Sequence, residues 1–200
     1  MGKTTAGRLL HARGIPVFNA DRVVHGLLQS HGPVVAQVAQ AFPQAMGKGQ
    51  INRALLGELI LSTPGHLEKL EALLHPHVEK ALTQFMALQV KRRALFVFLE
   101  IPLLYELGWD LYCDSVIVMT CPPWVQKSRL MARPGMTQQK YEFMQSRQLP
   151  QEEKCQRADY VISSQEGIHP MLRQLLQVLI KIRSHYARNC LRHRNHRPKP

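Results

Sequence analysis

Gly2-Lys3-Thr4-Thr5 opens the chain and runs into Ala6-Gly7-Arg8-Leu9-Leu10, a helical pattern. Residues of these types in this order can bind phosphate. Glycine lets backbone N–H groups converge on phosphate oxygens, and a helix N-terminus favours anions through its dipole. A lysine after the glycine reaches the β- and γ-phosphates of a nucleotide, and the next hydroxyl, here Thr4, can hold Mg²⁺. The complete pattern is G-x-x-x-x-G-K-[ST] behind a hydrophobic strand. This chain begins one residue before the second glycine. About ten further residues, a strand and then the start of the glycine-rich loop, are therefore expected upstream of Met1. Without that strand, each neighbouring backbone group left dry and unpaired costs about 1–3 kcal/mol, so a rearrangement near Met1 is expected.

Other residues could join a phosphate chemistry. Asp21 lies just past the apolar segment 15–19, and open α/β sheets bind ligands beyond the carboxyl ends of their strands. A carboxylate there can take a proton from a substrate hydroxyl. The same spacing suits a cap on a helix starting at Arg22, and on spacing alone the cap is the stronger reading. Arg129 and Arg133 are four apart, on one face of a helix that follows Pro122-Pro123. Pro134-Gly135 ends that helix, and Thr137 can cap the next one, which carries Lys140 and Arg147. A hinged basic pair of this kind can close over phosphate, excluding water and bringing positive charge. A solvated face is the plainer reading of two arginines so spaced.

The elements that must position these residues are also legible. Segments 94–100 and 115–119 are continuous apolar runs, the pattern of strands buried on both faces, and 160–162 is a shorter third. Helical stretches separate them, which predicts βα units and a mostly parallel sheet. Pro64 is placed for the first turn of a helix with Leu67, Leu70 and Leu74 on one side, and Pro76 is expected to break or kink it before about Val90. A last amphipathic helix is predicted over 174–182.

At 200 residues, 45% hydrophobic and 20% charged, the chain suits one domain with a real core and excludes a disordered polymer. Cys113, Cys121, Cys155 and Cys190 form no C-x-x-C pair, so reduced thiols in a cytoplasmic protein are expected. The longest apolar run, 94–99, is far short of the roughly 18 residues of a membrane span, and no signal peptide is evident. The 26 basic and 14 acidic residues give +12. Residues 168–200 hold no acid and eight basic residues, so the excess is mostly a property of the tail, 183–200. Such a tail binds nucleic acid weakly and without specificity at most; aromatic interleaving stops at Tyr186. No long apolar stripe remains unassigned, which predicts a monomer.

Gly2-Lys3-Thr4-Thr5, Asn19-Ala20-Asp21, Arg53, Leu74-His75-Pro76, Ile101-Pro102-Leu103-Leu104-Tyr105-Glu106, Arg129-Leu130-Met131-Ala132-Arg133, Gln148-Leu149-Pro150 with Lys154, and Arg157-Ala158-Asp159-Tyr160-Val161-Ile162 follow one another in a familiar order. In that order the chain, from residue 1 to about 167, resembles the dephospho-CoA kinases. The resemblance implies an α/β, three-layer P-loop kinase over 1–182, its mostly parallel sheet missing the central first strand in this chain. It implies a helical acceptor subdomain at about 22–93 and a lid at about 123–155. It also implies ATP and Mg²⁺, and transfer of the γ-phosphoryl group to the ribose 3′-hydroxyl of dephospho-CoA, the last step of coenzyme A biosynthesis.

By matching position, Asp21 would be the general base, and Gly2, Lys3, Thr4 and Thr5 would bind the nucleotide, with the Thr4 hydroxyl on Mg²⁺. Arg129 and Arg133 would be lid arginines. Arg53, His75, Pro102 and Leu103 would line the acceptor pocket with Asp21, although His75 also reads as a helix-kink residue before Pro76. Two positions depart from the family pattern. Asn19 stands where an aspartate is usual, which removes a carboxylate from the metal side, and Ser163-Ser164-Gln165 replaces the common Asp-Asn. Two rival readings are another P-loop kinase acting on a nucleoside or nucleotide, and an inactive fragment whose basic tail binds nucleic acid.

Overall fold

Short apolar runs alternate with amphipathic stretches along the sequence, and strands alternate with helices in the computed structural model, which describes residues 2–29, 32–47 and 49–194 (187–194 as backbone alone). In chain order the elements are α1 (Lys3–His11), β1 (Val17–Asn19), α2 (Ala20–Leu27), α3 (Val35–Ala41), β2 (Met46–Gly47), β3 (Gln50–Ile51), α4 (Arg53–Ser62), α5 (His66–Lys91) and β4 (Phe98–Glu100). They continue with β5 (Ile117–Thr120), α6 (Pro123–Met131), α7 (Gln138–Ser146), α8 (Gln151–Arg157), β6 (Tyr160–Ser163) and α9 (Ile168–Arg194). Two compact units result, Leu10–Pro102 and Met1–Leu9 with Leu103–Pro200.

In the first unit β1 and β4 pair in parallel, Val17 opposite Phe98, Phe18 opposite Leu99 and Asn19 opposite Glu100. Helices α2 to α5 enclose a core of Leu28, Val34, Val38, Phe42, Ala45, Ile51, Leu56, Leu70 and Leu74. Fully burying such a side chain contributes about 1.5–3 kcal/mol, which explains the first departure from expectation. Helix α5 passes through Pro76 without a break. Proline removes one helical N–H, but Leu70 and Leu74 before it and Val78 after it are all buried, and their packing holds both halves. The helix also starts later than predicted. Gly65 precedes it with φ of 82°, so Pro64 lies in the link from α4.

In the second unit β5 and β6 pair in parallel from Ile117–Tyr160 to Thr120–Ser163. Asp159 sets that register: its carboxylate accepts the Val116 N–H at 2.7 Å, while the N–H groups of Asp159 and Tyr160 both donate to the Val116 carbonyl. Helix α9 packs on β6. Met171, Leu175, Val178, Leu179 and Ile182, at helical spacing, form its buried stripe. The helix reaches Arg194, so the predicted tail is helical from 183 to 194, and residues 195–200 lie outside those described. Helices α6 and α7 pack on each other, with Gln126 Nε2 donating to Gln145 Oε1 at 3.3 Å and the Lys127 ammonium over the Tyr141 ring. Thr137 caps α7 as predicted, accepting the Lys140 N–H.

The single mostly parallel sheet expected from the sequence is present as two parallel ladders: β4 bonds β1, and β5 bonds β6. An antiparallel pair, β2 with β3, completes the ladders among the described residues. The rearrangement expected near Met1 falls on a residue outside those described.

Candidate active site

The phosphate-binding candidates sit at the head of α1. Gly2 has φ of +92°, and a Cβ there would come within 2.9 Å of Ser164 Cβ and 3.5 Å of Met119 Cε. Only glycine fits that approach to the carboxyl ends of β5 and β6. The Ala6 N–H donates to the Gly2 carbonyl at 2.9 Å, so the helix begins at once, and no acidic residue stands in its first turn. Lys3, Thr4 and Thr5 form that turn, where the dipole is positive.

Ser164, buried just past β6, organises this end of the unit. Its N–H and its hydroxyl both donate to the Thr120 carbonyl, at 2.8 Å and 3.0 Å. Its own carbonyl accepts from two guanidinium nitrogens of Arg129, each at 3.1 Å. Arg129, predicted as a lid arginine, is thus held by the backbone beside the glycine. Arg133 does not share its helix face: α6 ends at Met131, and the Arg133 N–H closes a turn onto Leu130.

Asp21, Arg53, His75 and Pro102 belong to the other unit, whose boundary falls between Pro102 and Leu103. Asn19, not Asp21, caps α2, its Oδ1 accepting the Arg22 N–H at 2.7 Å. The cap reading of Asp21 is therefore corrected, and its carboxylate lies exposed in the first turn of α2. The Asn19 amide donates to the carboxylate of Glu100, which is 9% exposed at the end of β4. The sequence left Glu100 without a role; the signal was a charged residue closing an apolar strand. A carboxylate therefore stands opposite position 19 on the neighbouring strand. Arg53 opens α4 and meets the ring of His25, in the last turn of α2, a second residue without a predicted role. His75 lies half-buried in the unbroken α5. A cavity of about 370 Å³ lined by Gly14, Pro16, Gln89, Arg92 and Phe96 lies at the amino ends of β1 and β4, away from Asp21.

A third group involves the segment after β4. Tyr105 is buried, with the Arg157 guanidinium 4.2 Å from its ring centre. Arg157 pairs with Asp110 at 3.1 Å. Burial pushes the Tyr105 hydroxyl pKa above its ordinary value, opposed in part by Arg157; burial likewise raises Cys113. The Arg157-Ala158-Asp159 motif therefore holds the fold: one charge stacks and pairs, and the other fixes the β5–β6 register. Among the described residues no group of three or more His, Cys, Asp or Glu is placed to hold a metal ion, and no helix is long and apolar enough to cross a membrane.

Parallel ladders alternating with helices in both units give the α/β architecture of a P-loop kinase. The family model for dephospho-CoA kinase matches residues 1–170, and the chain belongs to that family. It is 38% identical to the dephospho-CoA kinase of Agrobacterium fabrum over 183 residues, covering 91% of this chain and 93% of that one. It is also 38% identical to that of Rhizobium meliloti over 184 residues, with 92% and 94% covered. Among solved structures, TT1252 from Thermus thermophilus aligns with a TM-score of 0.75 at 31% identity, covering 90% of this chain and 91% of that one. The dephospho-CoA kinase from Campylobacter jejuni shares the fold, with a TM-score of 0.58 at 24% identity and the same coverage.

Proposed function

We propose that this chain transfers the γ-phosphoryl group of ATP to the 3′-hydroxyl of dephospho-CoA, giving coenzyme A and ADP. The observation that carries the catalytic assignment is Asp21: an exposed carboxylate two residues past the cap, in the turn that leaves a parallel strand. Because Asn19 satisfies the helix end, the carboxylate is not needed for the cap. Asp21 accepts the 3′-hydroxyl proton as the new O–P bond forms and the bond between Pγ and the β-phosphate oxygen breaks. Gly2, Lys3, Thr4 and Thr5 bind the nucleotide phosphates, with Lys3 supplying positive charge and the helix head its N–H groups.

The Thr4 hydroxyl, a hard oxygen donor at the helix head, fits Mg²⁺, which takes one or two protein oxygens beside phosphates and water. That ion, when bound with ATP, neutralises phosphate charge. Arg129 and Arg133 bring cations from the α6 end, Arg129 by exchanging the Ser164 carbonyl for phosphate oxygens. Arg53, held by His25, together with His75, Pro102 and Leu103, lines the acceptor side. The enzyme works in the cytoplasm as a monomer, and the basic end of α9 gives at most weak, salt-sensitive contact with nucleic acid.

The test is ATP-dependent phosphorylation of dephospho-CoA by the full chain beside Asp21→Asn. A general base contributes about 10²–10⁴-fold, so kcat is expected to fall by that order while the folded state persists, with at most about 1 kcal/mol lost from the first turn of α2. Equal kcat in the two proteins would reject Asp21 as base. No transfer by the unmodified chain would reject the substrate.

A further inference from the structure

Glu106 has no role in the site described so far, yet its carboxylate ties one corner of the second unit together. Its Oε1 accepts the Leu149 N–H at 2.8 Å and lies 3.7 Å from the Lys154 ammonium. Lys154 in turn donates to Gln148 Oε1 at 3.0 Å. The Glu106 and Lys154 side chains are only 14% and 19% exposed, so solvent screens this pair less than a surface one. Leu149 lies in the corner between α7 and α8, followed by Pro150, whose ring fixes φ and which has no N–H of its own. Glu106 is thus the side-chain hold on the corner's backbone.

The carboxylate is presented from a rigid base. Leu107, Gly108 and Trp109 donate their N–H groups to the carbonyls of Leu103, Tyr105 and Leu104, winding the segment into consecutive turns. Tyr105 next to it is wedged under Arg157, which Asp110 holds. The corner it grips is where the α6–α7 pair, carrying Arg129 and Lys140, joins α8. The chain from Pro122 to Gln148 enters the pair at α6 and leaves it at this corner.

We propose that Glu106 is a positioning residue for phosphoryl transfer: its carboxylate fixes the backbone at Leu149 and so sets where the α6–α7 pair stands over the nucleotide. The proposal rests on the kinase function proposed above. A displacement of about 1 Å in a group remote from the chemistry can cost about 100-fold in rate, so the effect falls on kcat. Binding of ATP, which depends on the head of α1, changes little.

The test uses the full chain with Glu106→Ala and Glu106→Gln, following kcat, the KM for ATP, and hydrogen exchange of the Leu149 amide by ¹⁵N NMR. In Glu106→Ala, Leu149 exchange is expected to accelerate about tenfold or more. Its kcat is expected to fall about 100-fold, with KM for ATP within about threefold. Glu106→Gln keeps an acceptor oxygen and loses the charge, so both readouts return most of the way to the unmodified values. Should Glu106→Ala not fold, the weaker bond in Glu106→Gln carries the test, because exchange and kcat must then change together.

Unchanged Leu149 exchange in Glu106→Ala overturns the clamp. Faster exchange with unchanged kcat overturns the positioning role, as does a kcat loss in Glu106→Gln equal to that in Glu106→Ala. Failure of the unmodified chain to phosphorylate dephospho-CoA is a separate outcome: it removes the kinase function, and the positioning role with it.

Discussion

Replacing Tyr105 with phenylalanine is expected to stabilise the protein. Tyr105 is 7% exposed, and its hydroxyl has no hydrogen-bond partner among the described residues. A buried hydroxyl without a partner loses its water contacts and gains nothing, at a cost of about 1–3 kcal/mol. Tyr105→Phe removes only that oxygen; the ring keeps its packing and its place under the Arg157 guanidinium 4.2 Å away. The expected gain is about 1–2 kcal/mol, equivalent to about 0.5–1 M in the urea midpoint for a slope of roughly 2 kcal/mol per molar. Trp109 and Trp124 both lie in the unit that contains Tyr105, and the chain has two tryptophans in all, so intrinsic fluorescence reports this unit's transition alone.

The same substitution changes the alkaline limb of stability. Burial raises the folded-state pKa of Tyr105 above 10.0, so on raising the pH the unfolded chain loses this proton first. Stability from this group is complete below the unfolded pKa and is lost as pH rises through the folded one. Phenylalanine removes that loss, so the two proteins should diverge further above pH 10. A midpoint at pH 7 that is unchanged or lower in Tyr105→Phe would refute the reasoning, since the hydroxyl would then have a favourable partner such as Asp110 or an ordered water.

Two further substitutions probe the fold around the site. Asp159→Ala strands the Val116 N–H at a position 9% exposed and removes a charge-assisted bond, so the fluorescence-detected transition should lose about 2–3 kcal/mol. Asn19→Ala removes the α2 cap, an expected loss of about 1–2 kcal/mol, read as a lower midpoint by circular dichroism. A loss below about 0.5 kcal/mol in either would mean that water replaces the deleted acceptor.

Local chemistry was the legible part of this sequence. The glycine, lysine and hydroxyl that point to the proposed phosphate site lie within four residues and fall together at the head of α1. Thr137 as a cap and the continuous apolar strands are signals of the same kind. Pro76 predicts a break or a kink from its own local chemistry, and the break is overruled by the burial of Leu70 and Leu74 before it and Val78 after it. Asn19 and Asp21 are both good cap types, and only backbone geometry chose between them. The importance of Glu100 depends on the pairing of strands 81 residues apart, and the hold on Arg129 depends on a carbonyl 35 residues away. Neither distance has a trace in local pattern.

The Asn19–Glu100 pair also constrains how this chain can change over generations. The two residues are opposite one another in the β1–β4 ladder, one strand spacing of about 4.8 Å apart. Aspartate at 19 with glutamate still at 100 would set two carboxylates side by side in a half-dry place, where like charges repel. A neutral residue at 100 with asparagine at 19 would leave that level of the ladder with no negative charge. A single substitution at either position therefore passes through a state with one charge too many or one too few, so the two sites are expected to drift as a pair, exchanging an acid between neighbouring strands.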